Sequence, residues 1–145
     1  MLMDIENTFA DEQAVTATAQ GTTPVDLTID RAIGNGEPLF VQVFCNVTAT
    51  SGGSATFTTS LVTGDALASG VIDSPTTKVT GETVALAALT AGALVDQFTI
   101  PANTTFDRYL NVLFTVGTAD LTAGNFTAVV SPARQVGKRN APAEI

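Results

Sequence analysis

The chain has no histidine, no tryptophan, one cysteine and one tyrosine in 145 residues. Each absence removes a kind of chemistry. Catalysis near neutral pH usually recruits histidine, an activated Cys or Ser, clustered carboxylates or a metal, because these groups change charge or share electrons at modest cost. Most of that set is missing, so an enzyme is not expected. Without His or a second Cys the ligands of a zinc or copper site are lacking, and no Asp-x-Asp-x-Asp-Gly loop is offered to calcium. No metal and no cofactor is expected. The lone Cys45 excludes an intrachain disulfide, and its place in the apolar run Leu39-Phe40-Val41-Gln42-Val43-Phe44-Cys45 makes it a small buried hydrophobe rather than a nucleophile.

Positive charge is also scarce. Six Lys and Arg stand against 14 Asp and Glu, giving a formal net charge of -8 and a pI near 4.1. Such a surface repels a nucleic-acid backbone, so direct DNA or RNA binding is not expected. The imbalance is uneven: residues 1–130 carry 13 acidic and 3 basic side chains, whereas 131–145 carry Arg134, Lys138 and Arg139 against Glu144. Asp26 and Asp30, four apart on one strand face, would lie roughly 13 Å from each other, too far for general acid/base work. No apolar stretch reaches the roughly 18–20 residues of a membrane span. The start, Met1-Leu2-Met3-Asp4-Ile5-Glu6, has acids where a secretory signal carries Lys or Arg. Synthesis and use in a cytoplasm-like compartment, with no membrane partner, are expected.

What the sequence does have is threonine, 24 residues of it, and short runs with a period of two. Val25-Asp26-Leu27-Thr28-Ile29 reads as a first core strand. In Leu39–Thr50, Leu39, Val41, Val43, Cys45 and Val47 share one face, and Phe40, Gln42, Phe44, Asn46 and Thr48 the other. After Ser51-Gly52-Gly53-Ser54, alternation resumes in Ala55–Thr63, and the two runs are expected to form a hairpin. The stretch 64–75 reads as a loose connection, Thr76–Val79 as a brief edge strand, and Thr83–Leu89 as a strand by context despite its Ala and Leu. Leu94–Ile100 alternates up to Pro101. Asp96, on its apolar face, is expected at the solvent-facing strand start. Arg108–Val116 points Leu110, Val112, Phe114 and Val116 inward, and 125–131 does so with Phe126, Ala128 and Val130. Seven or eight short strands with frequent turns predict an all-β chain with a single jelly-roll or β-sandwich domain over residues 25–132.

Two arms are expected to flank that core. Residues 1–24 are polar and Thr/Ala-rich, with alternation over Val15–Gln20 that fits an edge strand or, equally open, an Ala-rich helical turn; fully extended they span on the order of 80 Å. Ile5 and Phe9, too large for so polar a segment to bury, read as anchors for a neighbouring chain rather than as ordinary single exposed apolar residues. Residues 133–145 form a basic tail in which Arg134, Lys138 and Arg139 either clamp a carboxylate-rich partner or are simply solvated.

The segment Phe9–Thr18 with Gln13-Ala14-Val15-Thr16 at its centre, the turn and strand Gly36-Glu37-Pro38-Leu39-Phe40-Val41, and Arg108-Tyr109-Leu110-Asn111-Val112 followed by Leu121-Thr122-Ala123-Gly124 together resemble the Bbp16 family of capsid cement proteins. These are small jelly-roll proteins that decorate and reinforce tailed-phage heads. The basic extension beyond Pro132 departs from that pattern. The resemblance implies a head-decoration protein without enzymatic activity, made in the bacterial host cytoplasm. It would sit on the exterior of the virion, on the outside of the major capsid protein lattice, as a homodimer or homotrimer. Capsid contacts would then fall on Ile5, Phe9, Val15, Arg134, Lys138 and Arg139, and removing residues 1–20 would weaken shell binding while leaving the core folded. The other reading is a carbohydrate-binding or host-surface adhesion module, for which the lack of Trp and the single Tyr109 leave few stacking platforms.

Overall fold

The computed structural model describes residues 5–33, 36 and 38–132, with Ile5 by its backbone alone. Among them the chain is built from β1 (Thr8–Ala14), β2 (Ala19–Gln20), β3 (Val25–Asp26), β4 (Arg31–Ala32), β5 (Phe40–Ser51), β6 (Thr56–Gly64), β7 (Leu67–Ala68), β8 (Val71–Ile72), β9 (Thr76–Ala85), β10 (Leu94–Thr99), β11 (Thr105–Phe106), β12 (Tyr109–Gly117) and β13 (Leu121–Ser131). Short 3₁₀ turns lie at Ile5–Asn7 and Leu86–Ala88. No helix of the described residues is long and apolar enough to cross a membrane.

The strands form two main antiparallel sheets. The first has the order β1-β13-β5-β10, and the second β2-β12-β6-β9 with β3 also on β12. If β2 and β3 are counted as one broken strand and the small pairs β4–β11 and β7–β8 are set aside, eight strands remain. In chain order they run 1-8-3-6 in one sheet and 2-7-4-5 in the other. That winding is a jelly roll, and it fulfils the all-β expectation. It also overturns the expected hairpin of β5 with β6. The chain crosses from one sheet to the other through 52–55, so β5 pairs with β13 and β10, and β6 with β12 and β9.

The core follows the period of two. Leu110, Val112 and Phe114 from β12, Phe126 and Ala128 from β13, Val41, Val43 and Cys45 from β5, and Phe57 and Leu61 from β6 meet between the sheets. At its centre Phe57 stacks on Phe126 with ring centroids 4.3 Å apart and on Phe114 at 5.5 Å. Full burial of a side chain of this size stabilises by about 1.5–3 kcal/mol. Outward-facing threonines pair across strands instead: Thr50 with Thr122 at 2.7 Å, and Thr58 with Thr83 at 2.9 Å. Cys45 is buried as expected. Its Sγ lies 3.1 Å from the Val47 carbonyl, and burial pushes the thiol pKa up. The thiol should therefore stay unlabelled by a chromogenic disulfide reagent at pH 8 until denaturant is added, after which one equivalent should react; immediate reaction of the native protein would contradict its placement.

Several local readings are corrected by hydrogen bonding the sequence does not display. The segment expected as a free arm is part of the body: β1 pairs with β13 from Thr8↔Val129 to Ala14↔Asn125. The following residues cross to the second sheet, where Gly21 N–H donates to the Val112 carbonyl and Asn111 Nδ2 donates to the Gly21 carbonyl. A Cβ at Gly21 would stand 2.6 Å from the Phe9 carbonyl oxygen, so only glycine fits this crossing. The first core strand stops at Asp26, because Thr28 N–H donates to Asp26 Oδ1 and Thr28 takes a positive φ of 77°. Ile29 is left 61% exposed. The two pieces read at 76–79 and 83–89 are one strand, β9, with register shifts opposite Thr58/Ser60 and Leu61/Val62, followed by a 3₁₀ turn. Those bulges, with Lys78, blunt an edge that would otherwise invite pairing. The connection at 64–75 is a tight hairpin, β7–β8, whose turn residues Ser69 and Gly70 both have positive φ. Val47 turns outward where β5 is irregular against β13.

Candidate interaction surface

Of the residues expected to hold a partner, Phe9 and Val15 do not serve that role. They are 0% and 1% exposed, packed in the chain's own core because β1 closes the first sheet over them. The Ile5 side chain, Arg134, Lys138 and Arg139 lie outside the described residues, as does the turn at 34–35 and Glu37. A surface with distinctive chemistry arises elsewhere, at one pole of the sandwich.

The topology creates this pole. Tyr109 at the start of β12 pairs with Gly64 at the end of β6 and with Asp26 of β3, so the loops before β4, after β6 and before β12 converge. Ser131 at the end of β13 pairs with Phe40 at the start of β5, bringing the last described residues to the same pole. Three features result.

The first is a carboxylate cluster. One oxygen each of Asp30, Asp65 and Asp107 lies within 4.8 Å of the others, Asp30 and Asp65 exposed and Asp107 half-buried. Sequence spacing could not show this, since the three come from separate loops. They line neither of the two recesses described below. Asp26, expected to sit on one strand face with Asp30, is instead taken by Arg108. The Arg108 guanidinium donates from Nε to Oδ1 at 3.0 Å and from Nη2 to Oδ2 at 2.9 Å. That bond, seconded by the Thr28 N–H, holds the Asp26 carboxyl below the usual carboxylate range, and Asp26 in turn raises Arg108. Both partners are about half exposed, so the pair fixes geometry more than it adds stability. Arg108 also lies 4.9 Å from the Tyr109 ring centroid and covers a face of the only Tyr.

The second feature is an apolar recess of about 170 Å³ walled by Val25, Leu27, Ile33, Leu39, Leu110 and Val130, with Pro132 at its edge. An apolar cavity of about 150 Å³ accommodates a benzene-sized group, so the recess can take one large side chain. A wider cleft of about 620 Å³, lined by Glu6, Asn7, Thr23, Pro24, Val25 and Asp26, adjoins it. The third feature is exposed apolar surface: Ile29, next to Asp30, and Leu67, two residues beyond Asp65 and 43% exposed. Together these make a pole that can seat an apolar side chain beside Lys or Arg of a partner.

One further correction concerns Asp96. It was expected at the solvent edge, yet it is 8% exposed and faces the core from β10. It keeps the inward face that alternation with Phe98 and Ile100 gives it, opposite Val43 of β5, while the bulge before it leaves Leu94 exposed.

No curated protein matches the chain. A family model, Bbp16, covers residues 9–130, from Phe9 on β1 to Val130 at the recess, and the chain belongs to the Bbp16 family.

Proposed function

We propose that the protein is a capsid cement protein of a tailed bacteriophage, binding the outside of the major capsid lattice and stabilising the head. Family membership over residues 9–130 carries this reading, because the Bbp16 pattern resembled by the sequence is that of head-decoration jelly rolls. The fold supports it physically. A two-sheet body with a close-packed aromatic centre is stiff, and a stiff body that bridges neighbouring subunits resists their separation. Affinity per copy need not be high. A standard interface of about 1,200–2,000 Å², repeated over a lattice, stabilises a shell even when each contact is weak.

On this reading the shell lies against the pole that carries the carboxylate cluster, the recess, Ile29 and Leu67, because acidic and apolar surface are exposed side by side there. The sugar-binding alternative lacks support from the aromatic residues: Tyr109 already carries Arg108, and Trp is absent.

Purified protein mixed with empty, expanded heads should co-sediment to saturation at a fixed copy number. Leu67→Asp and Ile29→Asp, at exposed positions where the fold tolerates charge, should lower occupancy several-fold. Absence of saturable binding by the unaltered protein would remove the cement reading. Full occupancy by both variants would place the contact elsewhere on the molecule.

A further inference from the structure

The sandwich holds two buried polar oxygens without a hydrogen-bond partner among its described residues, Asp96 Oδ2 and Thr59 Oγ1, and both belong to residues that border Gly81. Asp96 comes from β10, the edge of the first sheet, whereas Gly81 lies on β9, the edge of the second, so the carboxyl spans the seam between the two sheets. Approach is close enough that a Cβ on Gly81 would run into Asp96 Oδ2 and stand 3.0 Å from the Thr59 carbonyl oxygen. Asp96 Oδ1 is satisfied by the Gln97 N–H at 2.8 Å. Oδ2 therefore sits buried in the seam near the Thr59 carbonyl oxygen, with no donor among the described residues placed to bond it, poor surroundings for a bare anion and suitable ones for an O–H.

We propose that Asp96 is a proton-operated latch between the sheets: protonated, its Oδ2–H donates past Gly81 to the Thr59 carbonyl of β6 and ties β10 to the second sheet at its β9 edge; ionised, Oδ2 loses that bond and the seam loosens. The charged group acting on it is Glu82, on β9 beside Gly81, which disfavours a second negative charge; β6 contributes the neutral Thr59, β5 presents Val43 opposite it, and no cation among the described residues acts on it. Desolvation by burial is the main cause that raises the Asp96 pKa above 3.8, with Glu82 adding to it against the Gln97 and Glu82 N–H groups. Because the folded chain then holds this proton more tightly than the unfolded chain, the stability from this group is full below about 3.8. It is lost as pH rises through the folded value. The latch is independent of what the pole binds.

The test follows melting temperature from pH 4 to pH 8 for the unaltered protein, Asp96→Asn and Glu82→Gln. Asn keeps the shape and supplies a permanent donor. Asp96→Asn should melt about 4 °C above the unaltered protein at pH 8, with the gap closing towards pH 4. Glu82→Gln should shift the unaltered curve the same way by less. Curves that stay parallel at every pH would overturn the latch. If Asp96→Asn does not fold, hydrogen exchange in the unaltered protein decides: β9 and β10 amides, corrected for intrinsic rates, should lose protection relative to β12 between pH 4.5 and pH 8, and an unchanged ratio would overturn it.

Discussion

A chain lacking residues 1–20 is expected to lose its cooperative fold, not merely its grip on a partner. β1 supplies Phe9 and Ala10 to the core, and the turn after it supplies Val15. Removing one buried Phe costs about 3–5 kcal/mol once the cavity is counted. Val15 and the β1 ladder add to that loss, and the total approaches the whole stability of a typical domain, about 5–15 kcal/mol. The deletion would also bare the side of β13 that β1 covers, an edge prone to pairing with other chains. Circular dichroism should show no sharp thermal transition, and the product should aggregate. A deleted chain that melts like the intact one would restore the detachable arm that the sequence alone predicts.

Phe57→Ala should be the most damaging single substitution in the body of the sandwich. Phe57 stacks on both Phe126 and Phe114, whose own rings stand 6.2 Å apart, so it is the shared member of the three. Truncation removes its buried area, leaves a void between sheets that cannot close without sliding one over the other, and breaks two ring contacts worth about 0.5–1.5 kcal/mol each. A loss of about 4 kcal/mol is expected, read as a lower urea midpoint with an unchanged slope. Phe57→Leu should recover most of it by restoring volume. If both variants lose equally, shape rather than volume governs this site.

Much of the sandwich is legible in the sequence because alternation reports a buried face directly. Val41, Val43 and Cys45, then Leu110, Val112 and Phe114, then Phe126 and Ala128 point where their spacing says. What alternation does not report is the partner. Nothing in Ser51-Gly52-Gly53-Ser54 distinguishes a hairpin loop from a crossing between sheets, and only the ladders of β5 and β6 decide it. Bulges erase the signal locally: β9 reads as two pieces because its register slips around Gly81, and Leu94 leaves the apolar face because of the slip after it, while Asp96 keeps the inward face its spacing gives and only its charge argues for exposure. β1 is missed for a different reason. Its Asp11 and Glu12 make it look too polar to pack, yet Thr8, Phe9 and Ala10 before them are buried. The carboxylate cluster is not legible at all, since Asp30, Asp65 and Asp107 are neighbours only after three loops converge.

The neighbouring positions of the first and last long strands set how the molecule bears load. Thr8 stands across from Val129, so the chain enters and leaves the first sheet side by side at one pole. Tension drawn through the two ends peels β1 from β13 as a zipper opens, rupturing one rung at a time. Tension applied across the sheet faces meets the rungs of several strands in parallel, as a rivet meets shear. A load drawn through both ends at this pole therefore opens the β1–β13 rungs first, whereas a load spread over the sheet faces is shared among several strands.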